Sequence, residues 1–299
     1  MDELSTATAW VILKKPMSLS RREFLGLGAV VLASGPLGTS LYEPHEVVVS
    51  QVDIALNRLP SEFDGLRVAQ LSDIHFNSFV TASHLEKVIE LSNSHKPDLV
   101  MITGDFVTTG HTRDRKASAE LAWPCAQVLR KIAAPLGCFA VLGNHDYQTN
   151  ANVVVEALST GAHIHVLRNQ AIALERAGAR LWLAGIDNVT VFRAKPDLAL
   201  RDVPKQECTI VAVHEPDIAD EVRKFPVDFQ MSGHSHGGQV RLPGIGAIYL
   251  PPWARKYPMG HYQIGDLQLY TNRGVGVIGV PMRFLCPPEL SVFTLRKQT

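Results

Sequence analysis

The amino-acid sequence predicts an α/β fold whose strands end at one polar crevice. Asp98-Leu-Val-Met-Ile-Thr103 is an unbroken apolar run, the pattern of a strand in a sheet covered on both faces. Leu85, Val88 and Ile89 stand at i, i+3, i+4 between that run and the β-type run Leu66-Arg-Val-Ala-Gln-Leu71, which makes a βαβ unit. Each run stops at polar residues, and in α/β sheets the residues just past the carboxyl ends of strands share a crevice. Apolar residues make up 46% of 299, enough for a sizeable core, so a disordered chain is excluded.

The elements follow in order. Ser72, Asp73, Ile74 and His75 close the first run, and Gly104-Asp105 closes the second. A helical region is expected from about Ala117 to Lys131 with an interruption at Pro124, because proline lacks a backbone donor. Cys138-Phe-Ala-Val-Leu142 is the next strand and ends at Gly143-Asn144-His145-Asp146, and Asn152 to Leu158 reads as a short helix. Ala171 to Leu174 and Leu181 to Ile186 read as antiparallel strands around the turn at Gly178. Cys208 to Val213 runs into His214, Asp217 to Lys224 is helical, and Phe229 to Met231 leads into Gly233-His-Ser-His-Gly-Gly-Gln239. The tail is β-rich, with a hairpin of Tyr262 to Ile264 and Leu267 to Thr271, and a last strand from Leu290 to Leu295. Gly274-Val-Gly-Val-Ile-Gly279 has the letters of a dinucleotide-binding turn, but Pro281 stands where its helix would begin, so it is a loop. No repeat and no low-complexity linker is visible, and residues 46–299 are expected to form one domain.

Lys plus Arg and Asp plus Glu each number 29, so no basic excess favours a polyanion and no nucleic-acid partner is expected. Cys125, Cys138, Cys208 and Cys286 are scattered, form no C-x-x-C, and read as packing residues.

Residues 1–41 stand apart from the domain. Ser20-Arg-Arg-Glu-Phe-Leu25, with an uncharged Gly- and Ala-rich stretch from Phe24 to Leu41, resembles a twin-arginine export signal. Gly35, Pro36 and Gly38 break that stretch, which suits a signal segment better than a spanning helix of about 20 apolar residues. Met17 is a second candidate start, three residues before Ser20. Ala33-Ser34-Gly35 is only a fair cleavage site with Pro36 after it, so an uncleaved membrane tether is the alternative to a removed leader. The expected partner is the twin-arginine export machinery, and the expected location is the periplasm, the cell envelope or the outer face of the cytoplasmic membrane.

The strand-end residues form a ligand inventory: Asp73, His75, Asp105, Asn144, His145, His214, His234 and His236. Carboxylate with imidazole suits divalent Mn, Fe or Zn, and the lack of thiolates argues against a structural zinc. The inventory implies two divalent metal ions with one bridging carboxylate, and Asp105 is the natural bridge. Taken singly the pieces are weak: a lone His214 at a strand end is more often a hydrogen-bonded core histidine, and G-N-H-D alone is a turn. Their fixed order, each after a strand, is what carries the metal site.

D-x-H, G-D, G-N-H-D, a lone His and G-H-x-H, in this order across residues 73–236, resemble the calcineurin-like metallophosphoesterase superfamily. With the leader, the Gly237-Gly-Gln239 extension and the tail segments Tyr270-Thr-Asn-Arg-Gly-Val-Gly276 and Cys286-Pro-Pro288, the chain is similar to exported bacterial phosphodiesterases of that superfamily. The resemblance implies a four-layer α/β/β/α sandwich with two mixed sheets. It implies one metal held by Asp73, His75, Asp105 and His236, a second held by Asp105, Asn144, His214 and His234, and His145 as the catalytic histidine that binds no metal. Asp146 is expected to fix the loop that carries His145.

One departure narrows the activity. Serine/threonine phosphatases of the superfamily carry G-D-x-V-D-R-G, whereas Thr108 and Thr109 stand here where the second Asp and the Arg would be. A diester carries less charge than a monoester and asks for fewer cations, so hydrolysis of a small phosphodiester by a metal-bridging hydroxide is expected, with His145 as proton donor. Arg273 reads equally as a substrate contact and as a structural salt bridge. The alternatives are a pyrophosphohydrolase of the UDP-diacylglucosamine type and a non-catalytic metal-binding scaffold.

Overall fold

The computed structural model describes residues 46–108 and 114–298. The leader, with Met17, Arg21 and Arg22, lies outside the described residues, and so do Thr109 and Gly110. No described helix is long and apolar enough to cross a membrane.

Strands β1 (Val48–Leu56) and β2 (Arg67–Leu71) precede helix α1 (Ala82–Ser94) and β3 (Leu99–Thr103). Helices α2 (Arg115–Glu120) and α3 (Ala122–Leu129) lead to β4 (Cys138–Val141), and α4 (Asn144–Thr149) and α5 (Ala151–Glu156) lead to β5 (His165–Val166). Then come β6 (Gln170–Arg176), β7 (Ala179–Gly185), α6 (Pro196–Ala199), β8 (Thr209–Ala212), α7 (Ala219–Val222) and β9 (Phe229–Ser232). The small pair β10 (Arg241–Leu242) and β11 (Gly246–Ala247) follows, and then β12 (Gly260–Ile264), β13 (Leu267–Thr271) and β14 (Glu289–Lys297).

Two six-stranded sheets result, in the orders β1-β14-β2-β3-β4-β5 and β12-β13-β9-β8-β7-β6. Both are mixed. In the first, β2 to β5 run parallel and β14 antiparallel to β2; in the second, β7, β8, β9 and β13 run parallel while β6 and β12 are antiparallel edges. Side chains alternate across a strand, and the alternation sorts them into three cores. Val68, Met101 and Phe293 of the first sheet meet Phe229 and Met231 of the second between the sheets. Ala69, Leu71 and Ile102 point the other way, onto Leu85, Val88 and Ile89 of α1 and Cys125 and Leu129 of α3. Val211 and Leu269 of the second sheet pack outward on Ala199, Ala219 and Val222. The α/β/β/α layering implied by the resemblance is therefore present.

The interrupted helix differs from expectation. The break falls at Leu121, between α2 and α3, and Pro124 sits within the first turn of α3. There a backbone N–H has no intrahelical partner to lose, so proline is tolerated. The Gly274–Gly279 segment is a loop, as expected, and its backbone returns to the first sheet: Val275 N donates to Ser72 O and Gly276 N to Asp73 O, both at 2.9 Å.

Candidate metal centre

Parallel strands put their carboxyl ends on one side, and the carboxyl ends of β2, β3, β4, β8 and β9 carry Asp73/His75, Asp105, Asn144/His145, His214 and His234/His236. All of these but His145 are buried. Asp73, His75, Asp105, His234 and His236 have φ of 51°, 49°, 56°, 66° and 50°, a left-handed conformation that costs a non-glycine residue about 1–2 kcal/mol. Each chain bends sharply as it leaves its strand, which turns the side chain back into the crevice instead of along the strand. The crowding requires glycine nearby: a Cβ on Gly233 would collide with Ser72 Oγ and Asp73 Oδ2, and one on Gly143 with the Asp105 carboxylate.

The ligand-type atoms fall into three overlapping groups, Asp73 with His75 and His236, His75 with Asp105 and His145, and Asp105 with His214 and His234, each with its atoms within 4.8 Å of one another. His236 Nε2 is 3.3 Å from Asp73 Oδ1 and 3.0 Å from His75 Nε2. His214 Nε2 is 3.1 Å from His234 Nδ1. Asp105 Oδ2 lies between the groups, 3.2 Å from His214 Nε2 and 3.6 Å from His75 Nε2. Asn144 Oδ1 is buried without a hydrogen-bond partner, as is His75 Nδ1. An orphaned buried amide oxygen, together with histidine nitrogens that face one another across 3 Å, is the donor set of a cation site, so these residues fit divalent metals.

Outer contacts fix which nitrogen faces inward. His214 Nδ1 donates to Thr103 O at 2.6 Å, leaving Nε2 to face Asp105, and His234 Nε2 donates to Pro252 O at 3.0 Å, leaving Nδ1 to face His214. Ser72 Oγ donates to Asp73 Oδ2 at 2.6 Å. Burial alone would raise both carboxyls, but His236 beside Asp73 and His214 beside Asp105 outweigh it and hold both well below the usual range. Burial lowers His75, His145 and His234, whereas at His214 the Asp105 charge overcomes burial and raises the ring.

His145 occupies the rim. Its backbone N–H donates to Asp105 Oδ1 at 2.8 Å, its Nδ1 is 3.2 Å from Thr108 Oγ1, and its ring meets His75 edge-on at 4.9 Å. Below it, Asp146 accepts four backbone N–H groups, from Gly143, Asp105 and Phe106 at 2.9 Å and from Val107 at 3.3 Å. That carboxylate ties the β3 and β4 loops together, the loop-fixing part expected of it. Arg273 is paired with Glu289 at 2.7 Å, the salt-bridge alternative of its two sequence readings.

Two supports were not read from the sequence. Glu215, buried next to His214, accepts from Val189 N, Thr190 N and Thr190 Oγ1 and so holds the β7 loop; its only signal was its position after a ligand-type histidine. Arg283, fully buried, donates to the carbonyls of Arg273, Gly274, Gly276 and Cys286, and its Nη2 lies 3.5 Å from His236 Nδ1. Nothing local marks such an arginine.

The calcineurin-like phosphoesterase profile matches residues 66–238. Over 286 residues the chain is 36% identical to the metallophosphoesterase YkuE of Bacillus subtilis, covering 93% of this chain and 98% of the relative. It is 29% identical over 283 residues to the phosphodiesterase YaeI of Escherichia coli, covering 93% and 99%. It is 25% identical over 307 residues to the UDP-2,3-diacylglucosamine pyrophosphatase LpxG of Chlamydia muridarum, covering 84% and 89%. With the profile spanning more than half of the chain and one relative aligned along nearly all of it, this protein belongs to the calcineurin-like phosphoesterase family.

Proposed function

We propose that the protein is a two-metal phosphodiesterase. The observation that carries this is the position of Asp105 Oδ2 between the two histidine groups, within 3.6 Å of both. Asp73, His75, Asp105 and His236 would hold one cation, and Asp105, Asn144, His214 and His234 the other. When bound, such cations supply Lewis acidity toward phosphoryl oxygens and bring the pKa of water at the site toward neutrality.

The chain's own residues do the rest. Asp73 and Asp105 stay ionised and orient their histidines. His145 has Nδ1 turned to Thr108, so Nε2 is the atom left for a leaving oxygen. Because burial lowers its pKa, the ring is neutral at pH 7 until a phosphoester anion arrives, and that anion's charge favours the protonated form that donates.

A diester is the better fit. The place where the second Asp and the Arg of the phosphatase pattern would stand holds Thr108 and Thr109, and Arg273 is engaged by Glu289, so few cations remain to grip a dianion. The YaeI relative, a phosphodiesterase by name, supports this reading. With Mn supplied, kcat/KM for bis(p-nitrophenyl) phosphate is expected to exceed that for p-nitrophenyl phosphate, and long DNA to be cut poorly for want of a cationic track. A preference for the monoester, or processive cleavage of DNA, overturns it.

Residues 1–41 complete the proposal as a twin-arginine export segment or tether preceding a domain of residues 46–299. Replacing Arg21 and Arg22 with Lys is expected to strand the protein in the cytoplasm, and unchanged export in fractionation refutes it.

A further inference from the structure

Of the eight large apolar side chains exposed among the described residues, six lie on loops that leave the carboxyl ends of the strands around the metal centre. Phe79 follows β2, Phe192 follows β7, Ile245, Tyr249 and Trp253 follow β9, and Leu285 follows β13. Phe192 is 93% and Ile245 75% exposed. Their loops border the site. Pro252 O accepts from His234, a Cβ on Gly238 would strike Ala247 and approach Tyr249 O, Phe284 pairs with Val240, and Glu215 holds the loop that leads to Phe192.

Three of these bulky residues are also held in the left-handed region, with φ of 59° at Phe192, 69° at Trp253 and 51° at Leu285. Glycine would occupy each position with less strain, so the exposed apolar group is maintained against a local backbone cost.

Two of these loop segments carry charge of one sign only. Residues 233–259 and 272–288 contain no Asp or Glu, although the chain has 29 acidic residues. Exposed Arg193 and Lys195 follow Phe192, and exposed Arg255 follows Trp253. Apolar side chains that protrude singly among cations suit the headgroup region of an anionic bilayer, where the rings enter the interface and the cations meet lipid phosphates.

The chain also enters the domain at this end. Val48, the first residue of β1, pairs with Glu289 and donates to Pro288 O, and Glu289 N donates to the carbonyl of Gly274, whose Cβ would lie 2.7 Å from that of Asp73. The first described strand therefore begins at the end of the domain that carries Asp73.

We propose that the end of the domain holding the metal centre docks on an anionic lipid bilayer. Resting on the phosphodiesterase reading, the substrate class is then a phosphoester whose apolar part stays in the membrane. The docking itself stands on the surface alone.

The test uses the full chain with Ile245→Cys in a Cys138→Ala background, labelled with a polarity-sensitive fluorophore and mixed with vesicles of phosphatidylcholine and phosphatidylglycerol. The label is expected to shift to the blue and brighten, and the effect to weaken as salt rises or phosphatidylglycerol is omitted. Phe192→Gly, Trp253→Gly and Leu285→Gly combined should raise the lipid concentration for half-maximal shift at least tenfold, with thermal stability unchanged or higher. Vesicle binding without a shift means contact through the N-terminal segment alone and overturns the proposal. A label already blue-shifted without lipid means that another protein surface covers the face, and overturns it too. Hydrolysis of bis(p-nitrophenyl) phosphate, a soluble ester, reports on the phosphodiesterase reading separately.

Discussion

Thr108 Oγ1 lies 3.2 Å from Nδ1 of His145, at the place where the phosphatase pattern carries an aspartate. A hydroxyl orients the imidazole as a carboxylate would but adds no charge, so under the proposed mechanism protonation of the ring would depend on the substrate's own anion. Thr108→Val should therefore lower kcat by roughly 5- to 10-fold, the worth of one hydrogen bond of about 1 kcal/mol, with metal content unchanged. Thr108→Ser should retain activity. Steady-state kinetics beside elemental analysis decide it, and a Val variant with wild-type kcat removes Thr108 from the mechanism.

His145→Ala is expected to reduce kcat by roughly 10²-fold or more, since a proton donor contributes about 10²- to 10⁴-fold. Metal content should stay near normal. The defect should be larger for an alkyl leaving group than for nitrophenolate, which departs without a proton. Equal losses across a leaving-group series would argue for a purely electrostatic role.

Asp105→Asn keeps the shape of the side chain and removes the charge both histidine groups face. A loss of roughly 10²-fold or more in kcat/KM is expected, together with reduced metal occupancy. In the parent protein, free Mn at about 100 times its dissociation constant should add about 2.7 kcal/mol of stability, seen as a higher melting midpoint that a chelator reverses. Most of that gain should vanish in the Asn variant. Two ions at full occupancy with activity retained would remove Asp105 as the bridge.

Asp146→Asn tests the carboxylate beneath the loops. An amide offers one oxygen to the four N–H groups and turns an NH₂ against the others, leaving buried donors unpaired. The expected cost is about 2–4 kcal/mol, from unsatisfied groups at about 1–3 kcal/mol each. Denaturant unfolding of the metal-free protein measures it, and a change below about 1 kcal/mol would show that the loops hold without it.

The strand ends were legible because β2, β3, β4, β8 and β9 are buried and read as apolar runs that stop abruptly at ligand-type residues. The edge strand β1 was not. Only Ile54 and Leu56 of its nine residues are buried, so no apolar run announces it. Nor was the insertion of β14 between β1 and β2 visible, since pairing between residues over two hundred positions apart leaves no local pattern. Thr108 was noticed as a missing aspartate, whereas its bond to His145 depends on how the β3 and β4 loops lie together. Arg283 escaped for a related reason: its task is to satisfy carbonyls of an irregular buried loop, and that need arises only once the loop is folded.

The insertion of β14 has a bearing on when the crevice can form. During synthesis the stretch 66–238 leaves the ribosome while the strand that must lie between β1 and β2 is still unmade. The loop carrying Arg283 and Cys286, against which His236 rests, is also unmade at that stage. A nascent chain thus holds the ligand-type residues before β14 exists, and they can come together in their final frame only once that strand has been made.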